Sequence, residues 1–382
     1  MPSELKRDAE DAGSTSPSHR RRINDPDKPM YLVVEHKAGK KKDAKPADSA
    51  PSVSIAGATT PMVPLHLSQP GMSFAAVSSP QGSWIVGVGG EGQGHTIIYD
   101  VATSKEFHGP DLSTNKMDPV LIPFRGQLYV FSRRPSVKWE PRVLDYLPWF
   151  ELICFKDGRP RWNHLTKDLE PPPVFPCRIN PIEYSNPPEI CVAAYATVGS
   201  HILLSVQLEN AGKVKRKYKG TCGYDVDRDV WEMVHAMNLP FLGEAVPLGD
   251  HLFLGRSRVR DGAAVVYSME VCQSAASGKS ELSIREVNVV VAPKGRIVLG
   301  DLLFPLERGW FSSVCVRSAD PGPESKLVDN VRVVQRKYVM VGYNAAENHA
   351  TIEKQHRQVY KLVVDPSRPL AHPSPVAAAF TV

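Results

Sequence analysis

Five short stretches of the chain can be laid over one another: Pro80 to Val86, Phe124 to Val130, Val198 to Leu204, Leu248 to Leu254 and Pro293 to Leu299. Each is a turn-forming pair, a polar residue and then three apolar ones, the pattern of a tight turn leading into a buried strand. With the polar residue as anchor (Ser83, Gln127, His201, His251, Arg296), the steps are 44, 74, 50 and 45 residues. Three agree, and the step from Gln127 to His201 holds an insertion. A unit of that length cannot bury its apolar face alone, so successive copies must pack on one another; a period of roughly 40 to 50 residues is that of propeller blades.

A second element recurs behind the first. Tyr99-Asp100-Val101 precedes Phe107, Phe155-Lys156-Asp157 precedes Trp162, and Tyr224-Asp225-Val226 precedes Trp231. An aromatic strand end, a polar turn and a second aromatic strand make a hairpin, with Asp, Gly and Arg supplying the turn. From about residue 70 to 365 the chain is short apolar runs broken by Gly, Pro, Asn and Asp, without helical periodicity, which predicts an all-β fold. Ala345 to Gln358 is read as a loop. The strands expected after Arg296 exceed one blade, so the expectation is a six-bladed β-propeller, with five blades the alternative.

The expected boundaries are a polar, basic and mostly disordered segment over 1–65 with one strand near 30–35, a propeller over 66–368, and a tail over 369–382. The lone strand, Met30 to Val34, is placed to complete the last blade. Two insertions stand out, Arg133 to Trp149 and Asp168 to Pro188, the second with seven prolines that forbid regular pairing. Insertions in repeat folds gather on one face. No apolar run is long enough to cross a bilayer, and no secretory leader or Asn-x-Ser/Thr acceptor is present. The six cysteines never form a Cys-x-x-Cys pair. Together these predict a reduced cytoplasmic or nuclear protein, not secreted, with Arg20-Arg21-Arg22 and Lys40-Lys41-Lys42 as candidate import signals.

Gly89-Gly90, Tyr99 and Phe107, and above all Tyr224 with Trp231, resemble kelch repeats. From about Met30 onward the chain is similar to the grass-expanded plant proteins of unknown function known as domain of unknown function 1668, which share such degenerate kelch-like repeats. Gly-Tyr-Asp-Val and Leu-Gly-Asp-His-Leu-Phe carry that likeness. The resemblance implies a kelch-like propeller with Gly89, Gly90, Tyr99, Trp162, Tyr224 and Trp231 as structural repeat residues, and it implies no activity. Related plant kelch proteins often carry an F-box, but the residues before Met72 lack its helical pattern.

No catalytic, cofactor or metal signature stands out. Gly87 to Gly92 satisfies G-x-G-x-x-G after a strand, yet Thr96-Ile97-Ile98-Tyr99 follows, so no helix N-terminus is available for a phosphate; the stretch is a hairpin loop. His201 and His251 occupy equivalent repeat positions but have no His-x-x-x-His or Cys cluster with them. Asp100 and Asp225 are placed to cap turns. No Gly-x-Ser-x-Gly or Cys-His setting is present.

The expected function is therefore a non-enzymatic protein interaction module. Its partner-binding residues are Arg133, Arg134, Trp139, Arg142, Tyr146, Trp149, Arg216 and Tyr218, because aromatic and Arg side chains carry most interface energy. The formal charge of +5 permits an acidic protein partner; a monomer with no cofactor, metal or membrane contact is expected. One alternative is an enzyme or small-ligand binder using the central channel, marked by inward charges with perturbed pKa values. A weaker one is nucleic-acid binding through Arg133 to Trp149 and Lys213 to Lys219, where rings stack on bases beside cations.

Overall fold

The computed structural model describes residues 5–8, 29–36, 52–57, 62–69, 71–80, 82–90, 94–116, 118–140, 143–156, 159–161, 190–208, 220–275, 278–292, 295–307, 309–318, 331–362, 370 and 376–381. They contain no helix, so the chain is all-β. The strands fall in two compact units, one of residues 1–66, 290–343 and 351–382, the other of residues 67–289 and 344–350.

The first unit begins with β1 (Leu5–Asp8), β2 (Met30–His36), β3 (Ser52–Gly57) and β4 (Val63–Leu65). In the second unit, β5 (Met72–Ser79), β6 (Gly82–Gly89), β7 (Thr96–Asp100) and β8 (Lys105–His108) form an antiparallel meander. Next come β9 (Val120–Phe124) and β10 (Gln127–Phe131), a separate hairpin of β11 (Val137–Glu140) and β12 (Val143–Tyr146), then β13 (Phe150–Lys156) and β14 (Arg159–Arg161). The second meander is ordered β14-β13-β10-β9. Two more follow: β15 (Ile190–Val198), β16 (His201–Leu208), β17 (Thr221–Asp225), β18 (Val230–His235); and β19 (Phe241–Gly249), β20 (Leu252–Ser257), β21 (Ala264–Gln273), β22 (Ser280–Ala292). The chain returns to the first unit with β23 (Leu302–Pro305), β24 (Trp310–Ser318), β25 (Val331–Asn344), β26 (His349–Leu362) and β27 (Val376–Thr381). Strand β27 pairs with β2, making the order β27-β2-β3-β4. Six four-stranded antiparallel meanders thus recur among the described residues, the blade motif of a propeller-like fold.

Local chemistry sets the hairpins. Asp100 Oδ1 accepts the amides of Ala102 and Thr103 at 2.9 and 3.3 Å, and Asp225 Oδ1 those of Asp227 and Arg228 at 3.0 and 3.3 Å. Ser257 Oγ and Asn344 Oδ1 do the same for residues two and three further on. Four residues after each capping side chain the backbone turns left-handed, at Ser104, Asp229, Asp261 and Asn348. One turn geometry is therefore built four times, with Asp, Ser or Asn satisfying amides that no strand can reach. Each unit has its own core. In the second, Tyr129, Phe131, Trp149, Phe150, Tyr224 and Trp231 pack as one ring cluster between the second and third meanders. In the first, Leu32, Val34, Val314, Val333 and Leu362 are among the buried residues.

The first four repeat anchors mark turns between the first and second strands of successive meanders, as expected. The fifth does not. Residues 295–300 form no strand, and the corresponding turn lies near Gly309, between β23 and β24. Side chains take the place of a strand partner there: Ser313 Oγ donates to the Val298 carbonyl at 2.9 Å and accepts the Gly300 amide at 2.6 Å, while the Val298 amide donates to Tyr338 Oη at 3.0 Å. A Cβ on Gly300 would lie 2.1 Å from the Val314 carbonyl oxygen, so the segment is pressed directly onto β24.

Three further expectations are corrected. The first 65 residues hold β1, β3 and β4 besides β2; Val53 and Ile55 are buried, a two-residue stripe too short to stand out between Ser, Ala and Pro. The stretch 369–382 is not a tail, because β27 is zipped to β2 from Thr381↔Met30 to Val376↔Val34. Ala345 to Gln358 is a four-residue turn and then β26, with Ala350 and Ile352 fully buried.

Candidate functional site

The repeat residues are structural. Gly89 and Gly90 end β6 with φ of +92° and +101°, and a Cβ on Gly89 would stand 2.7 Å from the Lys116 carbonyl oxygen. Tyr99 and Tyr224 are buried, and the Tyr224 ring packs on Trp231 at 5.2 Å between centroids. The Tyr224 hydroxyl donates to the Asp229 carboxylate, and burial holds its pKa far above the usual phenol value. Trp162 lies outside the described residues. Asp100 and Asp225 cap turns, as above. His201 is buried against Ser200 and Asp225, with its Nε2 3.7 Å from Asp225 Oδ2, whereas His251 is exposed in a turn with φ of +61°. The two equivalent histidines thus have different surroundings. Gly87 to Gly90 belong to a strand and its hairpin loop, and the helix start that a dinucleotide site needs is absent among the described residues.

Of the expected contact residues, Trp149 is a correction: it is 3% exposed, with ring centroids of Phe131 and Trp231 at 6.0 and 5.8 Å. It holds the core, and no partner can reach it in this fold. Tyr146 is half-buried against the same cluster. Trp139 sits in β11, the inserted hairpin. Arg134 is exposed. Arg142, Arg216 and Tyr218, and the insertion 168–188, lie outside the described residues. Arg133 has a defined place: its Nε lies 2.7 Å from Asp118 Oδ2 and donates to the Asp118 carbonyl at 3.3 Å, while its own carbonyl accepts the Val192 amide at 2.9 Å.

That last contact leads to a pair of residues that no motif announces. Strands β15 and β19 run parallel, with Ala194 beside Gly243 and Tyr195 beside Glu244. Each strand has a shift of register against its antiparallel partner at this point, between Val192 and Ala194 in β15 and between Leu242 and Val246 in β19. Bulges of this kind re-aim side chains and gather beside functional sites. Their effect here is visible in burial. Ala194, Ala196, Ala245 and Val246 are buried, while Glu244 is exposed and Tyr195 is half-buried, packed against the aromatic core cluster. Gly243, with φ of +67°, has nothing within 4 Å of where a Cβ would stand.

Surrounding protein raises the Glu244 carboxyl to about 7 by desolvation, with no compensating cation. The Tyr195 hydroxyl is also pushed well up, first by desolvation and then by the Glu244 charge, with Arg133 opposing and Asp118 adding. No side chain among the described residues hydrogen-bonds or ion-pairs with Glu244 or with the Tyr195 hydroxyl. Arg133 is engaged by Asp118. Elsewhere in the unit the burial of charge is compensated: Lys116 and Glu151, 1% and 2% exposed, pair directly, and Glu151 also accepts the Ser113 amide at 2.9 Å.

Sequence reasoning missed Tyr195 and Glu244. The one local signal is Gly243 inside an otherwise apolar strand, which marks a bulge. Among the described residues no group of three or more His, Cys, Asp or Glu is placed to hold a metal, and no helix is long and apolar enough to cross a membrane.

A family described as "Protein of unknown function (DUF1668)" matches residues 10–360. No curated protein matches the chain. Among solved structures, the WD40 domain of SCAP from fission yeast is similar at 9% identity, with 82% of this chain and 79% of that one covered and a TM-score of 0.32. TolB from Acinetobacter baumannii is similar at 10% identity, with 92% of this chain and 66% of that one covered and a TM-score of 0.35.

Proposed function

The chain belongs to this family of proteins of unknown function (DUF1668), and we propose that it is a non-enzymatic interaction module that holds a protein partner against the loop-bearing end of its second unit. The observation that carries the reading is the register pair on the two bulged strands, Tyr195 and Glu244, bare of partners within the described residues and flanked by Arg133–Asp118. Antiparallel connectivity supports the choice of end. In a meander, the entry to the first strand and the second-to-third connection lie at the same end, so Asp118 and the hairpin β11–β12 share one side of the second meander. Rigid strands carrying polar groups, with longer connections around them, form the usual setting of a binding site.

The hairpin can be tested without touching the core. Val137 and Tyr146 are register partners and the Leu147 amide donates to the Ser136 carbonyl at 2.8 Å, so Lys138 to Asp145 can be replaced by a two-residue Asn-Gly turn. Affinity capture from extracts of the source organism, with intact and trimmed protein side by side, should lose a specific protein on trimming. The same proteins in both samples would sink the placement of the contact surface.

A further inference from the structure

We propose that the edge of β26 at Val359–Leu362 is a pairing surface for a second copy of this chain, and that strand β1 is the guard that keeps it closed. Both strands belong to the first unit, and this surface is independent of the partner contact proposed above. Strand β26 has β25 on one side and, over its last four residues, β1 on the other. Leu5 stands opposite Leu362, Lys6 opposite Lys361, Arg7 opposite Tyr360 and Asp8 opposite Val359. The covered stretch is one that a sheet should not leave open. Tyr360 and Leu362 are buried in the core of the first unit, with Lys361 exposed between them, and the sequence runs on as Val363-Val364. From Val359 to Val364 it is therefore apolar and rich in β-branched residues, with one charge and no proline, the composition that pairs most readily with its own kind.

Strand β1 has the opposite character. It is four residues long, Leu-Lys-Arg-Asp, and all but the first are charged. Short, charged strands are how natural sheets end an edge without inviting another chain. The guard is also held lightly. Among the described residues β1 pairs with β26 alone, belongs to none of the six meanders, and is separated from β2 by residues 9–29. It can leave by a local opening that dismantles no meander. Once it has left, the N–H and C=O groups of Val359 to Leu362 face water beside buried Tyr360 and Leu362. A second copy in the same state offers the same edge. Two such edges pair antiparallel about a two-fold axis, which satisfies both at once and closes the assembly at a dimer.

The experiment compares the full chain with Lys6→Pro and Arg7→Pro by light scattering and by hydrogen exchange. Amide directions alternate along a strand, so one of these two residues points its N–H at β26 and the other points away. Proline removes a ladder bond at the first and is tolerated at the second. One variant should therefore release β1 while the other keeps it. In the releasing variant, exchange at the amides of Val359 to Leu362 should quicken about tenfold in dilute solution, and the mass should double as concentration rises. The intact chain and the other variant should stay monomeric over the same range. Val359→Lys added to the releasing variant should restore the monomer, because charge on an open edge blocks pairing. A chain lacking residues 2–8, shown by circular dichroism and melting to be folded, should behave as the releasing proline variant does. Equal exchange at Val359 to Leu362 in every chain would overturn β1 as a guard. Faster exchange without a change of mass would overturn the pairing surface, and so would aggregates of no fixed size or a dimer that survives Val359→Lys.

Discussion

At the scale of single residues, the turn capped by Asp100 shows how little freedom the chain has. Ser104 ends that turn with φ of +54°, where the equivalent positions hold Asp229, Asp261 and Asn348. Asn and Asp tolerate left-handed backbone because their side chains bond locally, and Ser does so less well. Ser104→Asn should therefore raise the urea midpoint by the equivalent of about 0.5 kcal/mol with an unchanged slope. Glu244 works in the opposite direction. Its pKa is about 7 folded against 4.5 for an ordinary glutamate, so the folded state holds the proton more tightly. Stability from this group is fully present below pH 4.5 and falls as pH rises to about 7. Glu244→Gln should melt higher than the parent at pH 8, with the difference shrinking at pH 5; an equal gain at both values would show that the carboxyl is not desolvated.

At the scale of elements, the ring cluster between the second and third meanders decides what the inserted hairpin can be. Trp149 closes the insertion and is locked among Phe131, Phe150 and Trp231. Trp149→Ala should cost about 3–5 kcal/mol, read from denaturant unfolding, because a large buried side chain leaves a cavity. An exposed contact residue would cost almost nothing. The burial of Trp149 also marks the limit of sequence reading. Hairpin turns were legible since their grammar is local: Asp100 and Asp225 cap the turns that their neighbours foretell. The apolar run at Ile297-Val298-Leu299 imitates the same grammar, but Ser313 and Tyr338, more than a dozen residues away, take its hydrogen bonds. Tyr195 and Glu244 were illegible for a related reason. Their meeting depends on two bulges in strands whose pairing only the folded chain defines.

At the scale of the whole molecule, six meanders recur among the described residues, the first four of them announced by the repeat anchors, while β3 and β27 did not show. The Ala-rich β27 has weak strand propensity and becomes a strand because β2 is there to receive it. Ending the chain before Val376 should strip the partner from Leu32 and Val34, both fully buried, and lower the melting temperature or leave the protein insoluble; normal melting of the truncated chain would show that the pairing is dispensable. The same pairing reaches into biosynthesis. His36, the last residue of β2, leaves the ribosome 340 residues ahead of Val376, the first of β27. Throughout that interval one edge of β2 has no native neighbour, and unpaired edges recruit wrong ones. The sheet that joins β2 to β27 can therefore be completed only after residues 376–381 have emerged, and a nascent chain stalled short of that point should be a client for chaperones.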